Sequence, residues 1–330
     1  MESPDIACHS GGMNQPVPTL MEAYAMHEAG RTAEALAIIQ HHADAGDGEA
    51  LFALGDMYWR GIGVEQDLGR ARELFASASD KAQPVAVRAW TNLLASGIAG
   101  QREWRQALTR LEEEARTDGL RANMFALVSA MGLDGNGNPL RTPPAEQLSD
   151  RLDIKLFRNA FTAAECEFLI LLAGPTYERS LIIVEDKAIP DPIRTSDGSA
   201  IHWLIEDPAS HAINRRLATL SGTSVEQGEP LYVLRYRPGQ QYHPHHDWLP
   251  PPNRRVKTAL IYLNDDYQGG ETEFPKIGLK VRGQTGDALV FTSALPNGDL
   301  DPLAEHSGLP VTSGTKYLAS RWIREHRHTP

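Results

Sequence analysis

From Pro18 to Pro139 the apolar positions recur at helical spacing, and a longer rhythm overlies them. Ala35, Ala71 and Ala107 are spaced by 36 residues; Gly61 and Gly97 share that interval, as do Ala50 and Ala86. A period of this size belongs to stacked helix pairs. The clearest unit runs Ala50-Leu51-Phe52-Ala53-Leu54-Gly55-Asp56-Met57-Tyr58, then Gly61-Ile62-Gly63-Val64, then Ala71 to Ala78. Small residues let two helices approach closely, and the Gly-x-Gly turn supplies the backbone freedom between them. The next unit departs from this: Ala99 stands where the second glycine would be, and Trp90 and Trp104 take helix positions. The outer units are degenerate, as terminal repeats are.

Residues 134–146 carry Gly, Asn and Pro and cannot continue a helix, so they read as a boundary. Asp134-Gly135-Asn136-Gly137 has part of a calcium loop but lacks the bidentate Glu, which makes it a turn. Beyond it the period changes. A first strand is expected over Arg151 to Leu156. Thr162-x-x-Glu165 is a capping box opening a helix that stops at Gly174-Pro175. Asp207-Pro208 opens a second helix ending near Gly222. Short alternating stretches then follow at 231–237, 256–263, 279–282, 287–292 and 315–323, separated by Gly/Pro turns. The expected fold class is α+β with two domains: a loose tail over 1–18, a helical-repeat domain over 19–140, a linker over 141–150, and over 151–330 a jelly roll carrying helices on one side.

Charge and composition narrow the function. The net charge is −11. Residues 1–150 hold 21 acidic against 12 basic side chains, and the remainder 22 against 20. That balance argues against general nucleic-acid binding, which needs a basic footprint. No apolar run approaches bilayer length, and Met1 to Pro18 lacks the basic and apolar regions of a signal peptide. The two cysteines, Cys8 and Cys166, make no disulfide framework. The expectation is a cytoplasmic protein with no membrane or nucleic-acid partner.

The chemistry concentrates in Tyr242-His243-Pro244-His245-His246-Asp247-Trp248. On an extended backbone, His245 and Asp247 point to one face. His306 is the best candidate for a third ligand. Two His and one carboxylate form the facial triad of non-haem Fe(II) oxygenases, which leaves coordination positions open. His246 should face the opposite way. His243 has the parity of His245 and is kept as a substrate or supporting contact.

Around these residues the chain resembles the prolyl 4-hydroxylase-like 2-oxoglutarate/Fe(II) dioxygenases, especially their bacterial members. The matching stretch runs from about Arg194-Thr195-Ser196 to Trp322-Ile323. It includes Tyr236-x-Pro238-Gly239-Gln240-x-Tyr242-x-Pro244-His245-x-Asp247, Ile261-Tyr262-Leu263-Asn264, Gly269-Gly270-Glu271-Thr272, Gly286-Asp287-Ala288-Leu289-Val290-Phe291, and His306-x-Gly308-x-Pro310-Val311-x-x-Gly314-x-Lys316. The helical unit around Ala50 to Ala78 likewise resembles a Sel-one-like repeat.

The resemblance implies a double-stranded β-helix with His245, Asp247 and His306 as iron ligands. Lys316, ten residues past His306, would take the far carboxylate of 2-oxoglutarate, with Tyr262 sharing it and Tyr236 as a further candidate. A lysine on an apolar strand calls for an anionic partner. Arg194, Trp248 and His243 are the substrate-side candidates. The implied co-substrates are 2-oxoglutarate and O2, with ascorbate as reductant. The expected activity is hydroxylation of an unactivated C–H, on prolyl residues of a peptide or protein; the helical repeats either dock that protein or serve as a structural buttress. Two other readings stand beside it: a hydroxylase of a free amino acid or other small molecule, and a repeat-based interaction module whose dioxygenase domain is inactive.

Overall fold

The computed structural model describes residues 17–184 and 187–330. Cys8 and nearly all of the expected tail lie outside them. The described chain forms two compact units that divide between Trp90 and Thr91.

The first unit is helical, with Leu20–Glu28, Thr32–Asp44, Gly48–Arg60 and Leu68–Asp80 in succession. Each start has a local cause. Thr19 and Glu22 form a capping box, and the Asp47 and Asp67 side chains accept from Ala50 N and Arg70 N. Gly61 ends the third helix in the left-handed region at φ +70°, which glycine adopts without strain. A Cβ on Gly55 would lie 2.8 Å from the Phe75 ring, so the third and fourth helices meet where only glycine fits. Ala23, Ala35, Ile39, Leu54 and Leu74 are among the residues of this unit's core.

The second unit holds further helices, Trp104–Glu114, Gly119–Ala130, Ala163–Ala173 and Pro208–Ser221, and antiparallel sheets. The Asp134 carboxylate accepts from Asn136 N, Asn138 N and Asn138 Nδ2 at 2.8–2.9 Å, making the expected turn. Thr162 and Glu165 form their capping box, and Gly222 closes the last helix in the left-handed region.

The large sheet has eight strands. From one edge they run Ala145–Gln147, Ile154–Phe157, Ala288–Thr292, Arg255–Tyr262, Lys316–Arg324, Leu231–Tyr236, Asp197–Ile201 and Glu178–Arg179. A four-stranded sheet, in the order Leu279–Val281, Thr272–Phe274, His306–Gly308 and Tyr242–His245, contributes to the same core. Leu234, Leu260, Leu289, Phe291 and Leu318 of the first sheet pack in one cluster with Phe274 and Val281 of the second. Two antiparallel sheets sharing a core make a sandwich, the architecture of a jelly roll. No helix among the described residues is long and apolar enough to cross a membrane.

Candidate metal centre

The small sheet brings the first ligand candidates together. His306 and His245 lie opposite one another on antiparallel neighbours, and Asp247 lies two residues past the end of the His245 strand. One ligand atom from each of His245, Asp247 and His306 falls within a 4.8 Å sphere of mutual distance. His245 Nε2 is 3.6 Å from Asp247 Oδ1, and His306 Nε2 is 3.4 Å from Asp247 Oδ2. The two imidazole centroids are 4.3 Å apart.

The other ring nitrogens decide what these three can do. His245 Nδ1 lies 2.8 Å from the His243 carbonyl, and His306 Nδ1 lies 3.0 Å from the Ala304 carbonyl. A carbonyl only accepts, so each Nδ1 carries a hydrogen and each Nε2 is the ring nitrogen turned to the common point. Burial, followed by the neighbouring His306, drives His245 down to about 4 and keeps it neutral. Burial alone would raise Asp247. The two imidazoles and the Thr258 hydroxyl, which donates to Oδ2 at 2.6 Å, outweigh it and hold the carboxyl below its ordinary range. Two imidazoles and one carboxylate with converging ligand atoms fit a divalent first-row metal.

This cluster opens into a cavity of about 40 Å³. Its walls include Lys316, Tyr236, Leu234, Leu260 and Leu318. Lys316 is 2% exposed. Its Nζ donates to the Gly270 carbonyl at 2.6 Å, its one hydrogen bond among the described residues. Burial lowers it to about 8. The carboxylate opposing that shift, Glu271, faces Arg282 at 3.9 Å. An ammonium with spare protons in a buried wall fits an incoming carboxylate.

The two tyrosine candidates separate. Both rings flank Lys316, Tyr236 at 5.6 Å and Tyr262 at 5.8 Å from Nζ. Tyr236 lines the cavity. The Tyr262 hydroxyl instead donates to Thr272 Oγ1 at 3.0 Å, and Thr272 is the residue that reaches the wall. Arg194 lies over the rings of Tyr232 and Tyr242, 5.5 Å from each centroid. His243 is exposed, with its backbone N–H on the Ile193 carbonyl. Trp248 turns its indole N–H to the Gly298 carbonyl at 3.1 Å. His246 faces Glu305 at 3.8 Å, away from the cluster.

Three residues around the cluster escaped sequence reasoning, two in the cavity wall and one behind Asp247. Tyr242 stacks on His245 with centroids 3.5 Å apart. Strict alternation would put them on opposite faces. The pairing of His306 with His245 and Gly308 with Tyr242 sets three residue steps against two, and this bulge turns both rings one way. Trp322 lines the cavity beneath the Arg255 guanidinium, which lies 4.4 Å from its ring. Thr258 was hidden within an apolar strand. Its parity with Leu260 was the available signal.

Comparison with known proteins agrees with this geometry. Residues 231–324 match the family described as the 2OG-Fe(II) oxygenase superfamily. Probable prolyl 4-hydroxylase 10 of Arabidopsis thaliana is 34% identical over 200 residues, covering 52% of this chain and 69% of that protein. The chain belongs to the 2OG-Fe(II) oxygenase superfamily. Prolyl 4-hydroxylase 1 of the same plant is 38% identical over 183 residues, 49% of this chain and 65% of its own length. The viral collagen prolyl hydroxylase of Paramecium bursaria Chlorella virus-1, solved as a 2OG complex, is 26% identical with a TM-score of 0.42, over 52% of this chain and 95% of that one. This superfamily member is a 2-oxoglutarate-dependent dioxygenase.

Proposed function

We propose that this dioxygenase hydroxylates prolyl residues of a peptide or protein. The observation that carries the reading is one small cavity holding both a His-Asp-His cluster and a buried, under-bonded lysine, in a chain whose relatives are prolyl 4-hydroxylases. His245, Asp247 and His306 hold Fe(II) through two Nε2 atoms and a carboxylate. Bound iron supplies oxygen activation coupled to decarboxylation of 2-oxoglutarate. Lys316 holds the far carboxylate of that co-substrate, with Tyr236 beside it and Tyr262 behind. Leu234, Leu260 and Leu318 keep water from the cavity. Thr258 fixes the Asp247 carboxylate. Arg194, Trp248 and His243 are the proposed substrate contacts, joined by Tyr242.

The helical region is proposed as a Sel-one-like docking surface for the protein substrate, and the bacterial type of the enzyme belongs to the same reading. A cytoplasmic setting also belongs to it, because iron must stay reduced. The free-amino-acid reading is not favoured by the relatives, and the inactive-module reading is not favoured by a complete ligand set.

The test is mass spectrometry of a proline-rich peptide library after incubation with Fe(II), ascorbate and 2-oxoglutarate. The expected product is a prolyl peptide gaining one oxygen, dependent on 2-oxoglutarate. Turnover of 2-oxoglutarate that oxidises free amino acids and never peptides would overturn the reading.

A further inference from the structure

The strand Lys316–Arg324 turns Lys316, Leu318, Ser320 and Trp322 to the metal-centre cavity, while alternation turns Arg321 the other way. The register gives Trp322 a particular neighbour. It lies directly opposite Thr258 on the strand Arg255–Tyr262, and side chains paired in this way share a face and lie within reach of each other. Thr258 is the residue whose hydroxyl donates to Asp247 Oδ2 at 2.6 Å. The indole therefore stands beside a donor to the carboxylate of the His-Asp-His cluster.

The Trp322 Nε1–H is buried and makes no hydrogen bond among the described residues. A buried donor left in that state is rare in folded proteins, and an indole nitrogen can only donate. The acceptor within its reach is Asp247. Burial pushes that carboxyl up, and His306, His245, the Thr258 hydroxyl and the Trp322 indole, in that order, hold it down. The ring is kept in this direction from outside the cavity. The Arg255 guanidinium lies over it, 4.4 Å from the ring, and is itself fixed to the Glu229 carboxylate by two bonds of 2.6 and 2.8 Å. Tyr232 packs against it with centroids 6.0 Å apart. A carboxylate has about four lone-pair sites, so Asp247 can accept from Thr258 and from an indole and still offer an oxygen to a metal.

We propose that Trp322 is a positioning residue for Asp247, its indole N–H donating to the carboxylate that Thr258 already holds. The proposal rests on the reading of His245, Asp247 and His306 as metal ligands. Two donors on one carboxylate limit its rotation. The ligand is then ordered before a metal arrives, which raises metal affinity.

The test reads metal binding rather than turnover. Co(II) alone is titrated anaerobically into the full chain and followed by its visible absorption, and the Tm of the metal-free protein is measured beside it. Trp322→Phe keeps an aromatic ring under Arg255 and removes the N–H. It should weaken Co(II) binding by about tenfold or more. Benzothienylalanine in place of Trp322 puts sulfur where the N–H was, at nearly unchanged shape, and should weaken binding to a similar degree with the metal-free Tm preserved. Where Trp322→Phe lowers that Tm or does not fold, the benzothienylalanine protein decides alone. Wild-type Co(II) affinity in the benzothienylalanine protein would overturn the proposal and leave Trp322 a packing residue. A wild-type chain that takes up no Co(II) would overturn the metal-centre reading itself, so the two failures are told apart.

Discussion

Lys316 and Arg321 are buried cations on one strand, facing opposite ways, and their surroundings treat them differently. The Arg321 guanidinium meets three backbone carbonyls, and glycine at 228 is what lets the backbone approach it, since a Cβ there would collide with the guanidinium. The Lys316 ammonium meets one carbonyl, Gly270. A buried charge is tolerable only when paired or fully hydrogen-bonded. Arg321 spreads its charge over three nitrogens, each with a carbonyl partner within the fold, and is structural. Lys316 concentrates its charge on one nitrogen with one carbonyl partner, and burial brings it to about 8. In the proposed function an incoming anion completes its environment, so the difference separates a cation that holds the fold from one proposed to hold a ligand.

The largest effect should come from the cluster that this lysine faces. His306→Ala removes one of the two imidazole Nε2 atoms of the cluster. We expect 2-oxoglutarate decarboxylation to fall to background and iron content to fall with it, while the circular dichroism of the helices is unchanged. Full decarboxylation in this variant would mean that the iron is held elsewhere.

Thr258→Val comes next. The substitution preserves shape and removes the hydroxyl that donates to Asp247 Oδ2 at 2.6 Å. Outer partners of metal ligands contribute about 10–100-fold in metal affinity, so the Fe(II) concentration for half-maximal activity should rise by about that factor. An unchanged iron requirement would reduce Thr258 to a packing residue.

Lys316→Ala should raise the KM for 2-oxoglutarate by about tenfold or more, because charge-assisted bonds are worth about 1.5–3 kcal/mol. The pH dependence follows from the sign of the shift. A lysine lowered to about 8 loses its ammonium above that pH, well below the ordinary value of roughly 10.4. The wild-type KM should therefore be flat below about pH 8 and climb above it. In Lys316→Ala the climb should vanish. A climb that persists would assign the titration to another group.

Much of this was legible before any coordinates. The alternation from Leu231 onward gives the strands Leu231–Tyr236 and Lys316–Arg324 to within a residue, and Thr162 and Glu165 announce their helix. Short motifs are legible when the chemistry depends on local spacing, as in His245-x-Asp247. What stayed hidden needed long-range information. Tyr242 faces the metal centre because of a bulge, which no period reveals. Tyr236 rather than Tyr262 lines the cavity because Thr272 intercepts the Tyr262 hydroxyl. Ala99 keeps a left-handed φ of +59° where the repeat pattern asks for glycine, so the turn survives a residue that disfavours it.

The smallest effect on turnover, and the sharpest test of the comparison, is Arg321→Lys. Lysine keeps the charge but loses the planar fork. An ammonium at the end of a flexible stem cannot reproduce the guanidinium contacts to Val225, Asn214 and Glu229. At least one buried carbonyl should be left unmet, destabilising the fold by about 1–3 kcal/mol. The readout is a lower Tm with a 2-oxoglutarate KM that moves far less than in Lys316→Ala. Lys316→Met should do the reverse. Replacing a buried charge by an apolar side chain of similar volume is often neutral or stabilising, so Tm should hold or rise while co-substrate affinity is lost. If instead both substitutions lower Tm equally, Lys316 is as structural as Arg321, and its spare protons are not waiting for a ligand.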